Sequence, residues 1–309
     1  MTADLHCHTK LSDGSIGIND LIILAKNKGI ETIAITDHDC LAGTVRGKVI
    51  GERHGVNVIP GVELSAFSKE LDKEVHILCY QPESADRLEG LCRSNSFLRK
   101  RASQYLIIKA SKRYPITSDL VLKCATGSTN VYKQHVMHAL MECGITTQIY
   151  GEIYHELFSP ESDNNIIVQP DYPDPKEVVK AVKAAGGIAV LSHPAHTGCT
   201  ELTDDLIKEG LDGIEVWHSM LDAPMRREAL SLARKYDLFV SGGADHEGLL
   251  GGEYIHYEKP EETPIWFPPC ALGTTKFFFE EIRDGKKKPE RGALMDTMLA
   301  DDTLWERTK

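Results

Sequence analysis

Two histidines near the start of the chain, His6 and His8, have a spacing that suggests chemistry. They lie in the run D-L-H-C-H-T at residues 4–9, which has the pattern of a β-strand. Residues two apart in a strand project from the same face. Two imidazoles on one face of a rigid strand supply half of a transition-metal site. An isolated pair is equally compatible with surface histidines near a frayed terminus, so the rest of the chain must decide.

Similar apolar runs recur along the chain, and most of them end in an acid or a histidine. Seven strands are predicted, at residues 3–9, 32–35, 56–63, 75–80, 188–194, 213–218 and 238–246. Most are followed by a predicted helix, which indicates parallel strands joined by crossover helices. In a parallel barrel, side chains from every strand converge on the C-terminal rim. We therefore expect one pocket rich in imidazole and carboxylate, formed by His6, His8, Asp37, His38, Glu63, His76, His193, His218, Asp245 and His246.

The size of this set predicts more than one metal ion. A catalytic zinc uses three or four ligands, fewer than the chain offers. Imidazole suits zinc, iron or manganese, whereas carboxylate favours manganese and other hard ions. We therefore predict two or three divalent ions, either Mn, Zn or Fe. Glu63 is the only glutamate at a predicted strand end with no competing ligand after it, so we expect it to bridge neighbouring ions.

The alternation of predicted strands and helices stops in the middle of the chain. Residues 84–165 show helical patterns and no convincing core strand, which predicts an inserted helical lid subdomain. Residues 1–83 and 166–285 are assigned to the metal-binding β/α barrel, and residues 286–309 to a C-terminal tail. A basic cluster within the insertion is predicted to be a solvated helix face; it consists of Arg99, Lys100, Arg101, Lys109, Lys112 and Arg113.

Composition limits the partners of this protein. The net charge of −11 argues against a broad electrostatic grip on nucleic acid, so no stable nucleic-acid partner is expected. No apolar run approaches the roughly 20 residues that cross a bilayer, and no signal peptide is visible, so we expect no membrane contact and a cytoplasmic location. The eight cysteines form no C-x-x-C pair and are interpreted as reduced thiols. Nothing in the sequence indicates an oligomeric state.

The ordered set of motifs resembles the PHP family (polymerase and histidinol phosphatase), especially its stand-alone metal-dependent phosphoesterases. The matching pieces are D-L-H-C-H-T at 4–9, S-D-G at 12–14, T-D-H-D at 36–39, G-V-E-L-S at 61–65, V-H-I-L at 75–78, L-S-H-P at 191–194 and G-G-A-D-H at 242–246. The insertion matches more weakly, through H-V-M-H-A-L at 135–140. The resemblance implies an α/β fold, a distorted seven-stranded β/α barrel with two or three metals, in agreement with the strand count.

The resemblance also implies how the ligands divide among three ions. They are His6, His8, Glu63 and Asp245 for the first ion, Glu63, His76 and His193 for the second, and Asp13 and His38 for the third. A ligand from the final motif would complete the third set, and there the sequence departs from the family. The family places its last histidine two residues after the aspartate, where this chain has Glu247 and a histidine one position earlier. We predict His246 as the ligand, with Glu247 as the alternative, and Asp37 as a group that orients a neighbouring histidine.

These residues predict hydrolysis of a phosphate ester by a metal-bridging hydroxide. The expected substrate is a small nucleotide or sugar phosphate, as a phosphomonoester or a cyclic phosphodiester. His196 or His218 is predicted to give the leaving alkoxide its proton. Three residues are predicted to bind substrate: Lys133, His135 and His218. Lys133 occupies a position where relatives often carry arginine. The alternatives are a 5′-to-3′ oligoribonuclease, which the acidic charge disfavours, and a non-catalytic metal-binding module, which the retained ligands disfavour.

Overall fold

A seven-stranded sheet is the framework of the protein. In the computed structural model, which describes residues 3–218 and 220–245, the strands follow one another in sequence order. They are β1 (Ala3–Cys7), β2 (Thr32–Ile35), β3 (Asn57–Ser68), β4 (Lys73–Tyr80), β5 (Ile188–Leu191), β6 (Gly213–Trp217) and β7 (Phe239–Gly242). Every residue of β1, β2 and β5 is buried, as expected for strands covered on both faces. The predicted α/β class is confirmed.

Helices cover the sheet and fill the interval between β4 and β5. They are α1 (Ile18–Asn27), α2 (Thr44–His54), α3 (Asp86–Arg113), α4 (Ser118–Cys124), α5 (Lys133–Glu142), α6 (Glu152–Phe158), α7 (Pro175–Ala184), α8 (Pro194–Thr197), α9 (Thr203–Lys208) and α10 (Ala223–Lys235), with a 3₁₀ turn at Thr200–Leu202. Helix α7 begins as its sequence predicts, because the Asp174 side chain accepts the Lys176 N–H and proline occupies the first helical position. Within the described chain, none of these helices has the length and apolar character needed to cross a membrane.

The expectation of parallel strands does not hold for one strand. Strand β4 runs antiparallel to both β3 and β5, whereas the other neighbouring pairs are parallel. Strands β3 and β4 are joined by the short turn at residues 69–72, in which Asp72 has a φ of 53°. A parallel pair needs a crossover of a dozen or more residues, so this turn permits only a hairpin. Glu63 and His76 therefore lie within a hairpin rather than at strand ends.

The sheet curls until its first and last strands meet. The Ala244 N–H donates to Asp4 Oδ1 over 3.1 Å, which links the segment after β7 to β1. Across the interior, the Tyr80 hydroxyl donates to the Leu5 carbonyl oxygen over 2.8 Å. A buried cluster contributed by β1 to β5 contains Ala3, Leu5, Ala34, Ile59, Leu78, Tyr80, Ile188 and Val190. The described strands thus form a nearly closed, distorted seven-stranded barrel.

Helices α3 to α6 form a hydrophobic cluster distinct from those of the barrel. Its centre includes Leu106, Val136, Leu140 and Leu157, all at most 7% exposed. Residues 84–165, all of which are described, contain no strand, although the division of the chain into domains stays a prediction. The interpretation of the basic cluster as a solvated face is wrong for Arg99, whose side chain is only 14% exposed; the other five residues are exposed. The predicted tail at 286–309 lies outside the described residues.

Candidate metal centre

Four ligand-type side chains from β1, β3 and the segment after β7 converge on one point. The Nε2 atoms of His6 and His8 are 3.1 Å apart, and each lies 3.3 Å from Glu63 Oε2. Asp245 Oδ1 lies 3.4 Å from the His6 nitrogen and 3.1 Å from that of His8. Tetrahedral ligands at about 2.0–2.1 Å from an ion are spaced about 3.3 Å apart. The five distances are close to this spacing, so these four residues could hold a divalent ion.

The second oxygen of Glu63 faces a different pair of histidines. Its Oε1 lies 3.4 Å from His76 Nδ1 and 3.5 Å from His193 Nε2. The Ser192 hydroxyl donates to the same oxygen over 2.9 Å. The Glu63 side chain is 1% exposed, so both oxygens are directed into the cluster rather than to solvent. A carboxylate with each oxygen in a separate donor set has the arrangement expected of a bridge between two ions.

A third donor set adjoins the first. Asp13 Oδ1 lies 3.3 Å from His8 Nδ1, and Asp13 Oδ2 lies 3.4 Å from His38 Nε2. Asp13 Oδ1 and His38 Nδ1 are buried and make no hydrogen bond within the described part of the chain. His38 Nδ1 lies 3.1 Å from Glu63 Oε2, so His38 faces Glu63 with one ring nitrogen and Asp13 with the other. Buried polar atoms normally have a partner, and unbonded donors within such a cluster fit bound cations. His246 and Glu247, the two predictions for the remaining ligand, lie outside the described residues.

Two of the converging residues have an unusual backbone conformation. His193 has a φ of 29° and Asp245 a φ of 52°, in the left-handed region that favours glycine. His193 is held there by its N–H, which donates to Glu215 Oε2 over 2.9 Å. Strained backbone of this kind persists where surrounding contacts over-determine it, and it is concentrated at functional sites.

Glu215, in the middle of β6, is a site residue that the sequence analysis missed. It is fully buried, and its Oε1 lies 3.0 Å from His6 Nδ1, the ring nitrogen that faces away from the donor set. Its Oε2 also lies 3.2 Å from the Ser192 hydroxyl oxygen. A carboxylate behind a histidine ligand fixes its ring and tautomer. The sequence feature that could have identified Glu215 is that it is the single acid inside the apolar run G-I-E-V-W. A carboxylate buried in such a strand needs a charged or hydrogen-bonding partner.

Replacing Glu215 with glutamine should weaken the metal centre without unfolding the barrel. The amide keeps the shape of the side chain but removes the charge that balances the His6 imidazole. We expect metal affinity to fall about 10- to 100-fold, measured by Zn²⁺ titration against a competing chelator. Glu201→Gln, at an exposed position, is the control and should bind like the wild type. Wild-type metal affinity in Glu215→Gln would mean that Glu215 contributes only to packing in the core and does not orient His6.

Asp37 reaches His8 through one serine. It accepts the Thr9 N–H over 2.7 Å, the Thr9 hydroxyl over 2.8 Å and the Ser12 hydroxyl over 2.7 Å. The Ser12 oxygen lies 3.3 Å from His8 Nδ1. This arrangement fits the predicted role of Asp37 in orienting a histidine rather than binding an ion.

The protonation of the cluster reflects its burial and its mixed charges. Burial lowers the pKa of His6, but the carboxylates of Glu63, Glu215 and Asp245 outweigh it and hold this pKa well above its ordinary value. Burial raises the pKa of Glu63, but the imidazoles of His6, His76 and His38 outweigh it and hold this pKa well below its ordinary value. Divalent ions that take these ligands must displace protons, so binding releases protons to solvent.

His218 and His196 lie on the side of the cluster formed by His193 and Asp245. His218 Nε2 lies 3.2 Å from Asp245 Oδ2, and its Nδ1 accepts the Met220 N–H over 3.1 Å. Its ring centroid is 5.0 Å from that of His193 and 6.4 Å from that of His196. His196 is less buried than His218. Its pKa is lowered mainly by burial and, to a smaller extent, by the neighbouring His218. Their predicted roles in proton transfer stay predictions.

The insertion presents the ring of Tyr132 to the cluster. The Tyr132 ring stacks on the His38 ring at 5.7 Å and 21°. His135 Nδ1 accepts the Tyr132 N–H over 3.0 Å, and burial lowers the pKa of His135 against the opposing effect of the nearby Asp13 carboxylate. Lys133 is close enough to Glu74 for its charge to help lower the pKa of that acid. The predicted substrate-binding roles of Lys133 and His135 stay predictions.

His135 should make the stability of the protein depend on pH. Burial lowers its pKa to about 4, against about 6.5 in an unfolded chain. Between these values only the unfolded state binds the proton, so stability is full above pH 6.5 and falls as pH decreases toward 4. We expect this residue to remove about 2 kcal/mol between pH 8 and pH 5.

The measurement is the free energy of unfolding in urea for wild type and His135→Asn at both pH values. Asparagine can accept the Tyr132 N–H but does not titrate, so the variant should lose less stability at pH 5. The control His155→Asn, at an exposed position of α6, should follow the wild type. Equal losses in all three proteins would refute the assignment.

Comparison with known proteins places this geometry in a family. The family model described as a PHP domain matches residues 4–184. A phosphoribosyl 1,2-cyclic phosphate 1,2-diphosphodiesterase from Eggerthella lenta is 34% identical over 81% of this chain and 96% of its own. A 3′,5′-nucleoside bisphosphate phosphatase from Chromobacterium violaceum is 25% identical over 85% of this chain and 94% of its own. A 5′-3′ exoribonuclease from Haemophilus influenzae is 26% identical over 78% and 88%.

A solved structure supports the same assignment. The crystal structure of a metal-dependent phosphoesterase from Bifidobacterium adolescentis superposes with a TM-score of 0.72 at 29% identity, over 80% of this chain and 88% of the other. The motifs that suggested the resemblance are those whose side chains converge in the barrel. The chain therefore belongs to the PHP family, and it is a metal-dependent hydrolase of phosphate esters.

Proposed function

We propose that two or three divalent ions, Mn, Zn or Fe, bind in this centre and that the protein hydrolyses small phosphorylated sugars or nucleotides there. The proposed ligands are His6, His8, Asp13, His38, Glu63, His76, His193 and Asp245, with His246 from beyond the described residues. The observation that carries the proposal is that Glu63 directs its two oxygens into two separate histidine sets. One ion would not need both sets.

The ions and the protein would share the chemistry. Bound divalent ions neutralise phosphoryl oxygens and lower the pKa of water to near neutrality. His218, held by Asp245, and the more exposed His196 are the proposed donors of the proton that the leaving oxygen needs. Lys133 is the proposed point charge for a substrate phosphate, and His135 and His218 are proposed to bind the substrate with it. The proposed groups thus come from both the barrel and the insertion.

The substrate we favour is a phosphorylated sugar that carries a cyclic phosphate diester. The relative from Eggerthella lenta, which is named for such a reaction, aligns over nearly its whole length at 34% identity. The net charge of −11 also disfavours a long polyanionic substrate. The bisphosphate phosphatase and exoribonuclease relatives share less of the sequence, at 25% and 26% identity.

Three substrates separate these activities. Metal-free protein is reloaded with Mn²⁺, Zn²⁺ or Fe²⁺ and given 5-phosphoribosyl 1,2-cyclic phosphate, adenosine 3′,5′-bisphosphate, or a 5′-phosphorylated RNA oligonucleotide. We expect ring opening of the cyclic diester to be the fastest reaction and the chelated protein to be inactive. Faster release of mononucleotides from RNA would favour the exoribonuclease. Metal binding with no hydrolysis of any substrate would favour a non-catalytic module.

A reducing, cytoplasmic location is also proposed. All seven cysteines within the described residues are free thiols, and most of them are buried. Reduced cysteines are typical of cytosolic proteins. Fractionation of the source cells should recover the protein with cytoplasmic markers, and recovery with periplasmic or secreted proteins would contradict this location.

A further inference from the structure

Arg99 is a buried cation that reaches from the insertion to the rim of the barrel. It lies in α3, and its guanidinium carbon is 4.8 Å from the ring centroid of Tyr132 and 5.3 Å from that of Tyr172. Its Nη2 donates to the Ser65 hydroxyl on β3 over 2.6 Å. The two rings and this hydrogen bond hold the guanidinium in one place. Fixing an arginine side chain costs conformational entropy, which its contacts must offset. The groups that Arg99 contacts therefore indicate its role.

One turn earlier, Asn95 bonds to the same part of the barrel. Its Nδ2 donates to Asp39 Oδ1 and to the Ser65 carbonyl oxygen, each over 2.8 Å. Residues four apart lie on the same face of a helix. Arg99 Nη2 also approaches Asp39 Oδ2 at 3.4 Å. One face of α3 is therefore bonded to Asp39 and Ser65.

Asp39 transmits this contact to the segment that carries His38. It has a φ of 49°, which is unfavourable for a residue with a side chain, and its N–H donates to the Glu63 carbonyl oxygen over 2.9 Å. Its carboxylate accepts the Ser65 N–H over 3.1 Å and the Ser65 hydroxyl over 2.8 Å, in addition to the contacts from α3. The conformation beside His38 is thus stabilised in part by the insertion.

Glu74 forms a second route from Arg99 to the cluster. Its Oε1 lies 3.9 Å from Arg99 Nη2 and 3.3 Å from His76 Nε2. The other ring nitrogen of His76, Nδ1, lies 3.4 Å from Glu63 Oε1. Arg99, Glu74, His76 and Glu63 therefore form a continuous chain of alternating basic and acidic side chains. A carboxylate behind a histidine ligand orients the ring, and the arginine orients that carboxylate.

We propose that Arg99 is a positioning residue of the metal centre, which orients His76 through Glu74 and holds the segment carrying His38 through Asp39. The inserted helices then complete the centre instead of only covering it. This inference rests on the proposed function, because it requires ions at His76 and His38. The simpler role of Arg99, a bond that only stabilises the packing of α3, makes different predictions.

A double-mutant cycle on Co²⁺ binding tests the route through Glu74. Wild type, Arg99→Gln, Glu74→Gln and the double variant are titrated with Co²⁺ against a chelator, and the visible absorption of bound Co²⁺ reports ligand geometry. Each single variant should bind the most weakly held ion about 10- to 100-fold less tightly, with an altered spectrum. Because both act on His76, the double variant should bind about as weakly as the weaker single variant.

Arg101→Gln is the matched control on the same helix. Arg101 is exposed and packs its guanidinium carbon 6.0 Å from the Phe97 ring, away from the cluster. This variant should keep the wild-type affinity and spectrum. Wild-type Co²⁺ binding in a folded Arg99→Gln protein, or additive losses in the double variant, would overturn the proposal.

Two further outcomes keep the test decisive. If Arg99→Gln does not fold, Glu74→Gln alone is informative, since the Glu74 side chain is 29% exposed and lies outside the core of the insertion. Wild-type affinity and spectrum in that variant would overturn the route to His76. If wild-type protein binds no Co²⁺, the proposed metal centre itself fails, a result distinct from unchanged binding by the variants.

Discussion

Glu63→Gln should lower kcat/KM by about 1,000-fold or more, the largest loss expected from any single substitution here. The reason is that both oxygens of Glu63 face histidine nitrogens, at 3.3 Å on one side and 3.4–3.5 Å on the other. The amide removes the charge and presents an N–H₂ group to one donor set. We also expect the metal content, measured by elemental analysis, to fall by at least one ion per chain.

Glu70→Gln is the matched control for this prediction. Glu70 lies in the turn of the same β3–β4 hairpin, but it is exposed. Its replacement should leave kcat/KM and metal content unchanged. If Glu63→Gln retained both its ions and its turnover, Glu63 would not be a bridge.

Gly243→Ala should cost about 100-fold in kcat/KM, because it displaces a ligand-bearing segment by about 1 Å. A methyl group at this position would lie 2.4 Å from both the nitrogen and the Cβ of His6, where β1 meets the segment after β7. The segment after β7 must then move away from β1. Asp245 lies two residues further along this segment, so it would be displaced with it. Overpacking should also lower the free energy of unfolding by about 1–3 kcal/mol. Steady-state kinetics and urea unfolding measure the two effects.

The control for this substitution is Gly90→Ala. A methyl group at Gly90, in α3, would meet no heavy atom within 4 Å. Alanine is the better helix former, so this variant should gain about 0.5–1 kcal/mol of stability and keep full activity. Normal activity in Gly243→Ala would show that the spacing between His6 and Asp245 is not critical.

The residues that converge could be predicted because each one belongs to a short, local pattern. His6 lies in β1 and His8 directly follows that strand, while His193 and Asp245 come two and three residues after the ends of β5 and β7. The sequence order of the strands then places neighbouring runs side by side in space. Local periodicity was therefore sufficient to gather most of the donors, whereas Asp13 was predicted only from the family resemblance. Neither could place His246 or Glu247.

The direction of β4 could not be predicted, because it depends on where β3 ends. The apolar run stops near Glu63, yet the strand continues to Ser68, pairing Ser65 with His76. Because β3 extends to Ser68, only a short turn connects it to β4. A connection this short permits only an antiparallel pair. Backbone pairing, rather than side-chain pattern, extends the strand.

Arg99 and Tyr132 were missed for a different reason. Charged residues occur on several sides of α3, so sequence alone does not show which side packs on the barrel. The exposed Arg101 and the largely buried Arg99 are two residues apart and differ only in the tertiary contacts made by each face. Tyr132 has no ligand chemistry of its own and becomes relevant only through its ring stacking on His38.

A crystal structure of the Mn²⁺-loaded protein, with anomalous difference maps, is the most direct test of the metal centre. We expect at least two anomalous peaks, one among His6, His8, Asp245 and Glu63 Oε2, and the other among His76, His193 and Glu63 Oε1. A single peak with only one Glu63 oxygen directed at it, or peaks away from Glu63, would contradict this expectation.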